Sequence, residues 1–276
     1  MEQGSTTGTR TVAVIGAGKL GELVLSGLRR AGWPTDKLLA TARRAERAAE
    51  LADRYGVRTV DNLAAVDLAD VLVIGVKPQD AAALLDEIGP KVSAEQLVIS
   101  LCAGLPTSFF QRRLAAGTPV VRVMTNTPAR VGQAMTAISA GPHATGEHLA
   151  LAEKLFTPLG ATVRVPESQQ DAVTALSGSG PAYFYLLVEA MIDAGVLLGV
   201  PRQVARELIV QTALGSAMML RETGEHPVTL REAVTSPAGT TIAAIRELER
   251  HGVRAALLAA LEAARDRAQE LAKQHS

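Results

Sequence analysis

Apolar residues follow two patterns along this chain, and the change between them organises it. From Thr11 to about Val165, short apolar runs alternate with amphipathic stretches. The runs at 11–15, 37–41, 71–76, 97–101, 120–124, 136–140 and 162–165 have the length and composition of strands. The stretches 19–31, 44–55, 79–88, 106–116 and 146–158 carry helical spacing. Such alternation implies an α/β domain with a mainly parallel, doubly wound sheet. Residues 1–9 are small and polar and read as a disordered tail.

After Ser168 the strand signals stop. Residues 171–176, 181–198, 201–221, 230–234, 241–250 and 253–273 all read as helix. Pro181 and Pro201 suit first-turn positions, and Gly199 and Gly252 suit helix ends. The helices at 181–198 and 202–220 are apolar nearly all round, with Phe184, Leu186, Leu187, Met191, Leu208, Leu214 and Met218 spread over every face. Such a helix must be buried on all sides. A helical domain of about 110 residues has too little interior to hide several of them. An interleaved homodimer would cover them; burial against the N-terminal domain alone is the alternative. The expected organisation is an α/β domain at 1–165 and an all-helical dimerisation domain at 166–276.

A chain of 276 residues, 47% of them hydrophobic, has enough material for two cored domains. An aromatic content of 3% leaves few stacking surfaces for single-stranded nucleic acid. Lys+Arg and Asp+Glu each total 28, and zero net charge argues against nucleic acid or an anionic membrane as partner. Cys102 is the only cysteine, which excludes an internal disulfide and a cysteine metal cluster. Its place in the apolar run 97–102 reads as a packed strand residue rather than a nucleophile. The five His residues show no metal-ligand spacing. No apolar run reaches membrane-spanning length, and no signal-peptide core precedes Val12. A cytoplasmic setting is expected.

The first apolar run ends in Gly16-Ala17-Gly18-Lys19-Leu20-Gly21 and passes straight into a helix. This is the dinucleotide fingerprint in its strand–turn–helix context, the start of a Rossmann domain. Gly16 allows the tight turn, Gly18 lets backbone approach a pyrophosphate, and Gly21 permits close helix–strand packing. After the second strand, where an acidic residue would receive the ribose 2′-hydroxyl of NAD, stand Arg43 and Arg44. They suit a 2′-phosphate, and so NADPH, though the same pair also reads as a solvated helix start. Val76-Lys77-Pro78-Gln79 and Asn126 lie just beyond two further strands, where ligands of doubly wound sheets bind. The small-residue segment Ser177-Gly178-Ser179-Gly180 reads equally as a close helix crossing or as room for a flat ring.

Ser236-Pro237-Ala238-Gly239-Thr240-Thr241 is a polar turn leading into an apolar helix. Thr240 or Thr241 would cap that helix. A helix start offers unpaired N–H groups and partial positive charge, which suit a small carboxylate.

Taken together, Ile15–Gly21, Val76–Gln79, Val123–Pro128, Leu176–Tyr183 and Thr235–Thr241 closely resemble the pyrroline-5-carboxylate reductase family, over nearly all of residues 11–270. The resemblance implies reduction of the cyclic imine 1-pyrroline-5-carboxylate to L-proline by NADPH, with NADH as a possible second donor. It places the substrate carboxylate at Ser236, Gly239, Thr240 and Thr241, with Thr241 near the imine nitrogen as the catalytic residue. Gly16, Ala17, Gly18, Lys19, Leu20, Gly21, Arg43, Arg44, Val76, Lys77, Pro78 and Asn126 fall to the cofactor. It also implies a homodimer assembled into a decamer, a small-molecule substrate and no metal. Two residues depart from the family pattern: Ala238 stands where a second Gly is usual, and Thr125 where Pro is common. The runner-up is another Rossmann reductase with a helical domain. A hydroxyacid dehydrogenase would want a helix Lys as acid, and there is none between Ser168 and Leu271. A non-catalytic nucleotide-sensing protein is the reading from a different class.

Overall fold

Strand β1 (Val12–Ile15) is fully buried, with Val12 and Val14 facing one core and Ala13 and Ile15 the other. A strand covered on both faces is the mark of a parallel sheet between two helical layers. The alternation continues through α1 (Lys19–Arg30), β2 (Leu38–Ala40), α2 (Ala45–Tyr55), β3 (Arg58–Thr59), α3 (Asn62–Leu68), β4 (Val71–Ile74) and α4 (Ala81–Ile88). It ends with β5 (Leu97–Ser100), α5 (Thr107–Gln111), β6 (Val120–Met124), β7 (Ala134–Ala140), α6 (Gly146–Phe156) and β8 (Gly160–Arg164). The computed structural model describes residues 10–274, so the tail expected at 1–9 lies outside the described residues.

These strands form one sheet in the order β3-β2-β1-β4-β5-β6-β7-β8. All pairs are parallel except β6 with β7. The mainly parallel, doubly wound sheet read from the sequence is therefore the fold. The alternation of apolar runs did not reveal β3 and α3. β3 is two residues long, and α3 spans less than two turns, marked only by Asp61, whose carboxylate accepts the Ala64 N–H at 2.8 Å as an N-cap. The stretch read as helix at 106–116 is α-helical only over Thr107–Gln111.

Beyond the sheet, α7 (Gln170–Val173) runs through a π turn (Thr174–Gly178) towards α8 (Gly180–Leu197). Then come α9 (Arg202–Thr223), α10 (Pro227–Ala233), α11 (Thr240–Arg250) and α12 (Val253–Gln274). Contacts divide the chain into two compact units: residues up to Ser179 together with the chain from Ala264 onward, and Gly180–Ala263.

The segment 167–173 is tied to the sheet by charge. Arg122, buried on β6, pairs with Asp171 at 3.1 Å and Glu167 at 3.8 Å. Glu167 in turn accepts the Thr107 N–H at 2.6 Å and its hydroxyl at 2.7 Å. A buried guanidinium is tolerated only with such partners.

Within Glu167–Leu197 an 18-residue window is apolar enough to cross a membrane, and only 6% of that window is buried. This corrects the expectation that no run reaches that length. Glu189 and Asp193 interrupt the apolar run in sequence, but α8 carries it as one helix through both.

Candidate active site

The glycine turn is built by its neighbours as much as by its own residues. Gly16 has φ +75°, and a Cβ there would sit 2.3 Å from Val76 Cγ1, so only glycine fits. Thr41, buried beyond β2, accepts the Gly16 N–H on its hydroxyl at 3.0 Å and the Ala17 N–H on its carbonyl at 2.9 Å. Gly18 is the N-cap of α1, with no side-chain cap, and its carbonyl takes the Glu22 N–H. The N–H groups of Lys19, Leu20 and Gly21 therefore have no partner inside the helix. A Cβ on Gly18 would meet only the Gly16 carbonyl, at 3.9 Å, so the space above it is open. Three free donors, a helix dipole and an open approach fit a dinucleotide pyrophosphate.

The ends of β2, β4 and β5 flank this turn. Arg43 is 84% exposed and pairs with Asp80 at 3.1 Å, just beyond β4. Arg44, the N-cap of α2, is exposed and makes no ion pair among the described residues. Lys77 is exposed, and Val76 and Pro78 are half-buried. After β5, Cys102 is buried with its Sγ 3.5 Å from the Val76 carbonyl. Burial pushes its thiol up to about 12, which keeps it protonated and inert at neutral pH. Cys102 packs as expected. Thr41, Asp80 and the exposed Ala103 at the end of β5 are further candidates that the sequence reading did not pick out.

Asn126, beyond β6, is spent largely inside the fold. Its Oδ1 accepts the Met135 N–H at 3.0 Å and its Nδ2 donates to the Ser177 carbonyl at 3.0 Å. The second contact fixes the π turn, closed by Ser179 N–H to the Thr174 carbonyl at 2.8 Å. π turns often mark functional segments, because they re-aim a helix without breaking it. Thr125 shares a 2.9 Å hydrogen bond with Thr136, so this departure from the family pattern has a buried polar partner.

In the helical unit, Ser236-Pro237-Ala238-Gly239 is a tight turn with Gly239 N–H on the Ser236 carbonyl at 3.1 Å. Proline second and a left-handed residue third define a type II turn, in which glycine is usual at the third position. Here it is Ala238, at φ +57°, the only non-glycine residue with positive φ among the described residues. Gly239 is confined too: a Cβ there would lie 2.3 Å from Ser236 Oγ. Gly239, not Thr240 or Thr241, is the N-cap of α11, with no side-chain cap. The first intrahelical bond is Ala243 N–H to the Gly239 carbonyl, so the Thr240, Thr241 and Ile242 N–H groups stay free. The absence of a hydroxyl cap strengthens the anion-binding reading of this turn, because a capping oxygen would occupy the same donors. Thr240 is exposed and Thr241 half-buried.

The Rossmann sheet, its glycine turn and the helical segment define a nicotinamide-dinucleotide oxidoreductase. Residues 11–104 match the family model described as "NADP oxidoreductase coenzyme F420-dependent", and residues 167–271 match "Pyrroline-5-carboxylate reductase dimerisation". The chain is 45% identical to the pyrroline-5-carboxylate reductase of Corynebacterium melassecola, over 95% of this chain and 99% of the relative. It is 44% identical to that of Mycobacterium tuberculosis, over 96% and 97%. Among solved structures it resembles a pyrroline-5-carboxylate reductase from Coxiella burnetii, with TM-score 0.90 and 35% identity over 95% of this chain and 98% of that one. A Plasmodium falciparum pyrroline carboxylate reductase with NADP bound superposes with TM-score 0.86 at 26% identity, over 96% and 98%. The chain belongs to the pyrroline-5-carboxylate reductase family.

Proposed function

We propose that this chain reduces 1-pyrroline-5-carboxylate to L-proline with NADPH, NADH serving as a second donor. The match carries the proposal, because it spans both segments of the chain in single relatives at 44% and 45% identity. Residues 1–165 take the dinucleotide; residues 166–276 take the substrate and form a homodimer, assembled further into a decamer. The exposed apolar faces of α8 and α9 support a partner copy, as does the family model that covers them. The working setting is the cytoplasm, with no nucleic acid or membrane as partner.

When bound, reduced nicotinamide supplies a hydride to the imine carbon, while the imine nitrogen takes up a proton. The chain's own part is positioning. Gly16–Gly21 hold the pyrophosphate on the free N–H groups of α1, with Ala17, Lys19 and Leu20 shaping that turn. Arg43 and Arg44 face the ribose, and Val76, Lys77 and Pro78 border the adenosine. Asn126 holds the π turn. The substrate carboxylate rests on the N–H groups of Thr240 and Thr241, framed by Ser236 and Gly239. The Thr241 hydroxyl orients the imine nitrogen; a neutral hydroxyl is too weak an acid to be the main source of the rate.

The test is purified protein with NADPH and 1-pyrroline-5-carboxylate, followed by loss of reduced-nicotinamide absorbance. Turnover is expected, and its absence overturns the proposal. Thr241→Ala should lower kcat/KM for the imine by about ten- to a hundredfold, the effect of one lost charge-assisted hydrogen bond, with NADPH affinity unchanged. Wild-type turnover in that variant would remove Thr241 from the mechanism.

A further inference from the structure

The Arg43–Asp80 pair stands in a particular place. β1 lies between β2 and β4, which pair with it on either side. Arg43 follows β2, and Asp80 ends the short turn Pro78–Asp80 after β4. Their 3.1 Å contact therefore crosses in front of the end of β1, where the glycine turn begins. Both flanking backbones are anchored to that turn: Thr41 hydrogen-bonds Gly16 and Ala17, and Val76 packs against Gly16. The backbones are fixed, while the Arg43 side chain is 84% exposed and free to swing.

The two side chains match the two forms of the cofactor. A ribose 2′-hydroxyl donates to a carboxylate; a 2′-phosphate needs cations and is repelled by a carboxylate. Asp80 thus supplies, from β4, the acidic group that the sequence lacks after β2. While the pair is closed, Arg43 is held on one carboxylate oxygen of Asp80, Oδ2, and the other oxygen can still accept a hydrogen bond. An exposed ion pair is weakly held, so an arriving phosphate can open it. Arg44, with no ion pair among the described residues, gives the phosphate a first hold.

We propose that Arg43–Asp80 is a latch that sets the choice between NADPH and NADH. With NADPH, the 2′-phosphate takes Arg43 and Asp80 swings clear. With NADH, the pair stays closed and Asp80 accepts the 2′-hydroxyl. Asp80 tempers a preference that the two arginines alone would make steeper. This rests on the cofactor reading above.

The experiment is equilibrium binding of NADPH and of NADH, without imine, read by nicotinamide fluorescence. It is run on wild type, Asp80→Asn, Arg43→Gln and the double variant. Asp80→Asn should raise the NADPH:NADH affinity ratio about tenfold, and Arg43→Gln should lower it by about as much. In the Arg43→Gln background, Asp80→Asn should change NADPH affinity by less than about twofold, because the partner through which it acts is gone. An undiminished Asp80→Asn effect there would show direct repulsion of the phosphate and overturn the latch, as would an unmoved ratio in the single variants. If wild type binds both cofactors, those failures remove the latch alone. If it binds neither, the cofactor reading falls and the latch with it.

Discussion

The two units of this chain use the same apolar residue types to opposite ends. In the sheet unit, Leu, Ile and Val from both faces close into two cores, and side chains such as Leu25, Leu72, Ile74 and Phe156 are wholly buried. Each such burial contributes roughly 1.5–3 kcal/mol, so this unit has its stabilisation within its own chain. Among the described residues of 180–263, Ala205 is the only apolar side chain that is buried. Phe184 is 66% exposed, Tyr185 65% and Leu197 89%. Monomers rarely carry so continuous an apolar surface. The first unit is stable by internal packing. The second leaves its apolar side chains exposed within one chain; a partner copy would give it a core and make its stability depend on protein concentration.

The harshest way to break that contrast is a charge on the exposed helical face. Phe184→Asp places a carboxylate where the partner copy would pack, and truncated or charged interface anchors commonly cost more than about 2 kcal/mol. Sedimentation should show a shift to monomers, and imine reduction should fall by about a hundredfold or more. NADPH binding should persist within about threefold, because the glycine turn belongs to the unit with its own core. Unchanged assembly would mean that α8 is covered in some other way; loss of NADPH binding as well would mean that the units are not separable in stability.

A subtler change separates fold from ligand within the sheet unit. Gly18→Val adds a side chain where only the Gly16 carbonyl lies near, at 3.9 Å. The added Cβ meets nothing closer within the fold, while a pyrophosphate on this turn would collide with the side chain. NADPH Kd should rise about a hundredfold, equivalent to about 2.7 kcal/mol. The melting temperature should stay within about 3 °C, the shift expected for about 1 kcal/mol in a protein of this size. A large drop in melting temperature would mean that Gly18 serves packing; an unchanged Kd would move the dinucleotide elsewhere.

What the sequence made legible follows the same divide. The buried strands and the glycine turn are local patterns, and the sheet and Gly16–Gly21 could be read from them. The apolar helices 181–198 and 202–220 were legible too, and their faces are the ones left exposed in the single chain. Thr41 and Asp80 were not legible, because their importance comes from strands that lie side by side only after folding. The π turn at Thr174–Gly178 was hidden, since nothing local distinguishes a π turn from a helix end. Asn126 was picked out, but its two contacts, to Met135 and Ser177, needed the fold.

The smallest expected effect lies in the helical unit, at the one place where its backbone is strained. Ala238 holds φ +57° at the third position of the Ser236–Gly239 turn. A left-handed conformation costs a residue with a Cβ roughly 1–2 kcal/mol. Ala238→Gly removes that cost but gives the unfolded chain more freedom, which offsets about 0.4–1 kcal/mol of the gain. The Ala238 side chain is exposed, so little packing is lost with its methyl. The net should be a stabilisation of about 0.5–1 kcal/mol, read as a small rise in the unfolding midpoint at fixed protein concentration. The imine KM should move by less than about threefold, because the N–H groups of Thr240 and Thr241 are set by the start of α11 and not by the Ala238 methyl. A lower midpoint would show that the methyl packs against a partner copy at this turn. A KM rise of tenfold or more would show that the strain itself holds the carboxylate receptor in shape, and alanine would then be the functional choice at this position rather than a tolerated one.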